Sequence, residues 1–178
     1  MTQTSSSINL VDFIRDVPDF PKPGITFKDI TPLLGSHAAL TECIDQFVDQ
    51  YQGEKIDVIA AAEARGFLFA VPLAMRLGVG MVPIRKPGKL PFKKYSYSYD
   101  LEYGSDTLEM HVDGIQEGQN VLVIDDLLAT GGTVQACCEM IESCGGKVAG
   151  CAFLIHLQFL EGLKKLDKYP VFSLIDVN

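Results

Sequence analysis

Short apolar runs alternate with segments of helical period through the middle of the chain, and this alternation most constrains the fold. The runs are Asp57–Ala62, Val79–Ile84, Val121–Ile124 and Val148–Ile155, with Val171–Ile175 as a last one. Between them lie Gly66–Leu77, stopped by Gly78, and a segment where Val134, Cys137, Cys138 and Ile141 share a face before Gly145-Gly146. Strands that are apolar on both faces need cover on both faces, so the expected fold is α/β, doubly wound, with a mostly parallel sheet between helices. Pro72 lies inside the first helical segment and predicts a late start or a bend there. Ligands of such sheets bind at the carboxyl ends of the strands, so chemistry is sought there.

The flanking segments read differently. Leu10, Phe13, Ile14 and Val17 recur at helical spacing and predict a short helix ended by Pro18. The stretch after it, rich in Pro and Gly, predicts irregular chain. Ser36 reads as the N-cap of a helix whose apolar face is Leu40, Cys43, Ile44, Phe47, Val48 and Tyr51. Residues 94–112 alternate polar and apolar about Tyr103-Gly104, which predicts an inserted antiparallel hairpin. That hairpin reads as surface decoration or as a lid over a site. With 178 residues and no repeat, linker or break in composition, the chain 1–178 is expected to be one domain.

Several function classes are disfavoured. The net charge of −8 argues against a nucleic-acid binder. The longest apolar stretch, Val148–Leu160, contains His156 and Gln158 and falls short of the roughly 20 residues of a membrane span. The N-terminus lacks the basic and apolar regions of a secretory signal, and the five cysteines form no CxxC pair. A reducing, cytoplasmic location is expected, with the cysteines as small core residues. The three histidines show no metal-ligand spacing and read as structural.

The most informative segment is VLVIDDLLATGGT, residues 121–133. A buried strand ends in Asp125-Asp126, a loop follows from Leu127 to Gly132, and Thr133 opens a helix. Gly131 and Gly132 allow close backbone approach, and loop and helix N–H groups with the Thr130 and Thr133 hydroxyls suit a phosphate monoester. A Walker loop and a dinucleotide fingerprint are both absent. Two adjacent carboxylates repel each other unless something uses them, and a ribose diol donates a hydrogen bond to each. Two cation-bearing loops end other strands: Glu63-Ala64-Arg65-Gly66, and Arg85-Lys86 with Lys89. In so acidic a chain they predict a second, more highly charged anion. Glu102, near the hairpin tip, reads on its own as a surface carboxylate.

VLVIDDLLATGGT resembles the ribose-phosphate motif of the type I phosphoribosyltransferases. With FPKPGITFKDITPLL, EARGFLF, IRKPGKLP and SYDLEYG, in that order, the chain is similar to the adenine-specific branch of that family from about Phe20 to Gly146. The resemblance implies transfer of the phosphoribosyl group from phosphoribosyl pyrophosphate to adenine, giving AMP and pyrophosphate. It implies Mg²⁺ held mainly by the substrate, a small N-terminal hood over about 1–35, a flexible lid over about 90–112, and a cytoplasmic homodimer. It also implies roles. Ala129–Thr133 would bind the 5-phosphate and Asp125 and Asp126 the ribose hydroxyls. Glu63, Ala64, Arg65, Arg85, Lys86 and Lys89 would serve pyrophosphate. Thr26, Phe27, Lys28 and Leu127 would hold adenine, and Glu102 would act as acid/base. The loop at Glu63-Ala64 departs from the Asp-Ser start of other members, and Lys28 stands where Arg is common. A transferase for another purine, or a regulator that binds the substrate without catalysis, are the alternatives. The short acidic N-terminal part counts against the regulator.

Overall fold

The computed structural model describes residues 8–100 and 105–178. The chain divides into two compact units, residues 1–47 and 48–178.

In the first unit the expected N-terminal helix is replaced by one 3-10 turn, Leu10–Phe13, and a strand, β1 (Arg15–Val17). The Asn9 side chain caps the turn, accepting from the Val11 N–H at 3.3 Å. The chain then extends because Arg15–Val17 pairs antiparallel with β2 (Phe27–Asp29). This long-range ladder outweighs the local helical spacing. The Pro-rich stretch also holds a short helix, α1 (Thr31–Gly35), with Pro32 in its first turn, where no N–H is needed. Ser36 caps α2 (His37–Tyr51) as expected, its Oγ accepting from the Ala39 N–H at 3.3 Å. Cys43, Ile44 and Phe47 of the expected apolar face are buried.

The second unit is built on β3 (Val58–Ala62), α3 (Gly66–Leu77), β4 (Gly80–Ile84), β5 (Lys94–Asp100), β6 (Ser105–His111), β7 (Asn120–Leu128), α4 (Gly132–Ser143), β8 (Lys147–Leu157) and β9 (Val171–Val177). Five strands form a parallel sheet in the order β4-β3-β7-β8-β9. The chain starts in β3, winds to β4 on one side, then returns to lay β7 on the other. The reversal of direction between β3 and β7 is a topological switch point.

Strand alternation sorts the core into two layers. Val58, Ala60 and Ala62 of β3 and Val121 and Val123 of β7 pack with Val134, Cys137, Cys138 and Ile141 of α4. Ile59, Ala61, Leu122 and Ile124 point the other way, toward α3, whose Phe69, Ala70 and Leu73 are buried. Helices therefore cover both faces. α3 runs through Pro72 without a late start. Cys137, Cys138 and Cys151 are fully buried, with 3.6 Å between Cys138 Sγ and Cys151 Sγ, and burial pushes the Cys137 thiol up. No helix among the described residues is long and apolar enough to cross a membrane.

β5 and β6 form the expected antiparallel hairpin. Its base belongs to the core: Leu108 and Met110 are buried in the α4-side layer, and Arg85 and Glu109 exchange backbone hydrogen bonds of 2.7 and 2.8 Å. The hairpin leans on α4 through Tyr97, whose hydroxyl donates to Glu139, and Tyr99, whose hydroxyl lies 3.3 Å from Thr133 Oγ1.

Candidate active site

β7 is longer than its apolar run. Its ladder to β3 stops at the pair Ala61 and Ile124, while its ladder to β8 continues to the pair Leu128 and His156. Asp125 and Asp126 thus lie within the strand rather than at its end, and the loop shrinks to Ala129–Gly131. The long β8 carries the pairing onward. Beyond Ile124 the β3 side of β7 is open, because β3 has already turned off at Glu63. The switch point becomes a cleft there.

Arg65 and residues Asp125 to Val134 line this cleft. Arg65 Nε lies 3.0 Å from Asp126 Oδ2, and the Asp126 N–H donates to Asp125 Oδ1 at 2.9 Å. Burial raises the Asp125 carboxyl well above the ordinary range, and its neighbour Asp126 adds to the rise. Burial also raises Asp126, partly offset by the Arg65 guanidinium. A carboxylate pair held this way calls for hydrogen-bond donors or a cation, which is what a diol or a metal-bound substrate supplies.

Gly131 has φ +78° and stands before α4, with no side-chain cap on the helix. The first-turn N–H groups have no partner within the helix, and Thr130, Gly132, Thr133 and Val134 line the cleft. The loop is held from behind by a residue absent from the sequence reading. Gly162, in a 3-10 turn over Gly162–Lys165, packs backbone to backbone against it. A Cβ on Gly162 would sit 2.2 Å from the Ala129 carbonyl oxygen, and one on Gly131 would sit 2.6 Å from the Gly162 carbonyl oxygen. A lone glycine followed by Leu-Lys-Lys carries no recognisable motif, so its role appears only in three dimensions.

The second cationic cluster lies on the neighbouring strand ends. Glu63 accepts from Arg85 Nε at 2.8 Å and from the Lys86 N–H at 2.9 Å. Burial works to raise this carboxyl, but those donors and the nearby Lys89 charge outweigh it and hold it low. Arg85 Nη1 also donates to the Lys89 carbonyl at 3.4 Å. The peptide Glu63–Ala64 is cis. Since β4, β3 and β7 are neighbours, Arg85, Glu63, Arg65 and the acid pair follow one another along the carboxyl edge of the sheet. The segment Glu63–Arg65 joins the two clusters. One end binds Arg85, and the other pairs with Asp126.

Two further acids were missed by the sequence reading because nothing local distinguishes them. Asp106 of β6 pairs with Lys86 Nζ and accepts from Tyr99 at 3.2 Å. Glu109 accepts from Lys94 Nζ at 2.9 Å and from the Gly88 N–H at 3.0 Å.

Thr26, Phe27 and Lys28 belong to the first unit. Lys28 Nζ is bound to Asp16 Oδ1 at 2.6 Å, and the Phe27 ring meets Phe20 edge-on at 5.3 Å. The Lys28 charge is thereby neutralised within β1–β2. Leu127 lines the cleft of the second unit. Glu102 lies outside the described residues.

The sequence profile of the Phosphoribosyl transferase domain family matches residues 28–178. An adenine phosphoribosyltransferase of Rhodopirellula baltica is 57% identical over 169 residues, covering 95% of this chain and 82% of the relative. One from a Roseiflexus species is 58% identical, covering 94% of this chain and 97% of the relative. Among solved structures, the adenine phosphoribosyltransferase of Thermoanaerobacter pseudethanolicus superposes with a TM-score of 0.92 at 55% identity, covering 95% of this chain and all of the other. The enzyme of Saccharomyces cerevisiae, solved with an imino-altritol bisphosphate and adenine, superposes with a TM-score of 0.88 at 40% identity, covering 93% and 96%.

Proposed function

The chain belongs to the phosphoribosyl transferase domain family, among its adenine phosphoribosyltransferases, and from that premise we propose how its residues carry the reaction. The reaction is purine salvage: the 5-phosphoribosyl group of phosphoribosyl pyrophosphate passes to adenine, giving AMP and pyrophosphate. The observation that carries the assignment of roles is the switch-point cleft, where Arg65, the acid pair and the Gly131 loop meet.

Ala129, Thr130, Gly131, Gly132 and Thr133 hold the 5-phosphate with main-chain N–H groups and two hydroxyls. Asp125 and Asp126 accept from the ribose 2- and 3-hydroxyls. Arg65, Arg85, Lys86 and Lys89 receive pyrophosphate, with N–H groups of the Ala64 loop. Glu63 acts through Arg85 and the Lys86 main chain, which it fixes. The main chain at Thr26 and Lys28 reads the edge of adenine, and Phe27 and Leu127 wall the ring.

As the bond to pyrophosphate breaks, positive charge grows on the ribose ring. A carboxylate about 5 Å away, at an effective dielectric near 20, attracts it by about 3 kcal/mol before desolvation offsets. The Arg and Lys donors gain strength as charge collects on the leaving group. Glu102 moves the proton at the base nitrogen, an effect of order 10²–10⁴ in rate. The hairpin limits water at the reacting carbon. Its base is fixed at Leu108 and Met110, which are buried in the core.

The donor set suits a substrate-borne Mg²⁺. Asp125 and Asp126 offer hard oxygens, but two adjacent side chains do not fill an octahedral shell, so such an ion would need substrate oxygens and water as well. When bound, it neutralises charge on pyrophosphate. A cytoplasmic location accords with five free cysteines. A homodimer accords with α3, which exposes Leu68, Val71 and Met75 at spacings of three and four, a stripe suited to a second copy of the chain.

The test is AMP formation from adenine, phosphoribosyl pyrophosphate and Mg²⁺, beside parallel reactions with hypoxanthine, guanine and xanthine. Turnover with adenine alone is expected. Preference for another base would overturn the adenine contacts, and substrate binding without any turnover would indicate the regulator.

A further inference from the structure

The hairpin is tied to the basic loop after β4 by two carboxylates in different situations. Glu109 is 7% exposed at its side chain and is bound to Lys94 Nζ, the Gly88 N–H and, through its own main chain, Arg85. This tie is buried on the Glu109 side. Asp106 is 29% exposed and its partner Lys86 is 41% exposed. This tie faces the solvent at the mouth of the cationic cluster. The Lys86 N–H donates separately to Glu63, so the loop is held by a bond that does not involve the ammonium.

We propose that Asp106 is an internal stand-in for pyrophosphate, holding the Lys86 ammonium until the substrate's anion displaces it. The inference rests on the reading of Lys86 as a pyrophosphate ligand. The exchange leaves no orphan. When Lys86 departs, Asp106 keeps the Thr107 N–H at 2.8 Å and the Tyr99 hydroxyl at 3.2 Å. A dianionic or trianionic ligand attracts the ammonium more strongly than one carboxylate does. The same Tyr99 hydroxyl lies 3.3 Å from Thr133 Oγ1, so the chain Lys86, Asp106, Tyr99, Thr133 runs from the pyrophosphate cluster to the 5-phosphate loop. Filling the pyrophosphate end exchanges the Lys86 tie of the hairpin for a ligand contact, while the Glu109 tie keeps its base in place. Asp106 is thus a positioning residue, setting both the resting place of Lys86 and the seating of the hairpin.

The experiment measures binding of inorganic pyrophosphate with Mg²⁺ by titration calorimetry to the full-length chain, in four proteins: wild type, Asp106→Asn, Lys86→Ala and the double variant. Asp106→Asn removes the competitor, so pyrophosphate is expected to bind about two- to fivefold tighter, the range set by a partly exposed ion pair. Hydrogen exchange in β5 and β6 is expected to quicken, while the KM for adenine stays put. In the Lys86→Ala background the same substitution is expected to have no effect on affinity. Unchanged or weaker binding to Asp106→Asn, with Lys86→Ala weakening it, overturns the stand-in alone. Tightening of equal size in both backgrounds overturns it too, since a bulk charge effect would then suffice. No loss of affinity in Lys86→Ala overturns the reading of Lys86 itself. If the Asn variant folds poorly, Asp106→Ser is tested in the same cycle with the same criteria.

Discussion

Arg65 Nε and Asp126 Oδ2, 3.0 Å apart, close the switch point by joining the turn after β3 to the body of β7. The pair is unequal: the Asp126 side chain is 6% exposed, the Arg65 side chain 40%. The guanidinium is thus the partner that a ligand in the cleft would reach. Arg65→Ala is expected to lower kcat/KM for phosphoribosyl pyrophosphate by about 10²–10³, consistent with the loss of charge-assisted hydrogen bonds worth about 1.5–3 kcal/mol each. The KM for adenine is expected to change little. Steady-state kinetics with each substrate varied checks this, and equal loss for both would contradict it.

Gly162→Ala drives a methyl group toward the Ala129 carbonyl, where the gap is only 2.2 Å. The phosphate loop must shift. The KM for phosphoribosyl pyrophosphate is expected to rise about tenfold or more, with a stability loss of roughly 1–3 kcal/mol from overpacking. A melting curve and a KM determination test the two effects separately. A wild-type KM would show that the buttress does not shape the loop.

The acid pair carries a cost in the free protein, and its sign is testable. Asp125 and Asp126 have raised carboxyls, so the native state binds protons more readily than the unfolded chain. Their contribution falls as pH rises above the ordinary Asp value of 3.8. Glu63, Asp106 and Glu109 are held low, so their contribution is present above ordinary carboxylate pKa values and is lost as pH falls through the lowered ones. Asp125→Asn is expected to raise Tm at pH 7 by about 2–4 °C per kcal/mol of relieved charge while lowering kcat/KM. Glu63→Gln is expected to flatten the acid side of the stability profile. Urea midpoints from pH 3 to 8 would register both, and a destabilised Asp125→Asn variant at pH 7 would refute the sign.

Met75→Glu places a charge at the most exposed point of the α3 stripe, 78% exposed in the single chain. The wild type is expected to elute with twice the chain mass of 19.5 kDa and the variant with one. Light scattering on a sizing column decides. An unchanged mass would move the dimer interface elsewhere.

Glu102→Gln keeps size and removes the proton acceptor. Turnover is expected to fall by about 10²–10⁴ with binding of phosphoribosyl pyrophosphate nearly intact. Parallel losses in both would remove its chemical role.

Much of the second unit was legible because its signals are local. The apolar runs gave β3, β4, β7, β8 and β9 within a few residues, and Gly78 ended α3 at its αL position. The alternation about residues 94–112 gave the hairpin. The first unit was less legible. Leu10, Phe13, Ile14 and Val17 suit a helix equally well until β2 supplies a partner for Arg15–Val17. The length of β7 escaped because Asp-Asp reads as a strand end, and only pairing with β8 carries it to Leu128. Gly162, Asp106 and Tyr99 acquire meaning from contacts made far along the chain, and no local period encodes those.

The meeting of Gly131 with Gly162 has a consequence for how such a chain can vary. The phosphate loop is shaped by main-chain atoms on one side and a main-chain prop on the other. Most side chains nearby are therefore free to drift without disturbing its shape. The constraint is concentrated instead at two positions where even a single methyl group is excluded. A loop of this kind fails abruptly at those positions, and one of the two lies about thirty residues downstream of the motif that announces it.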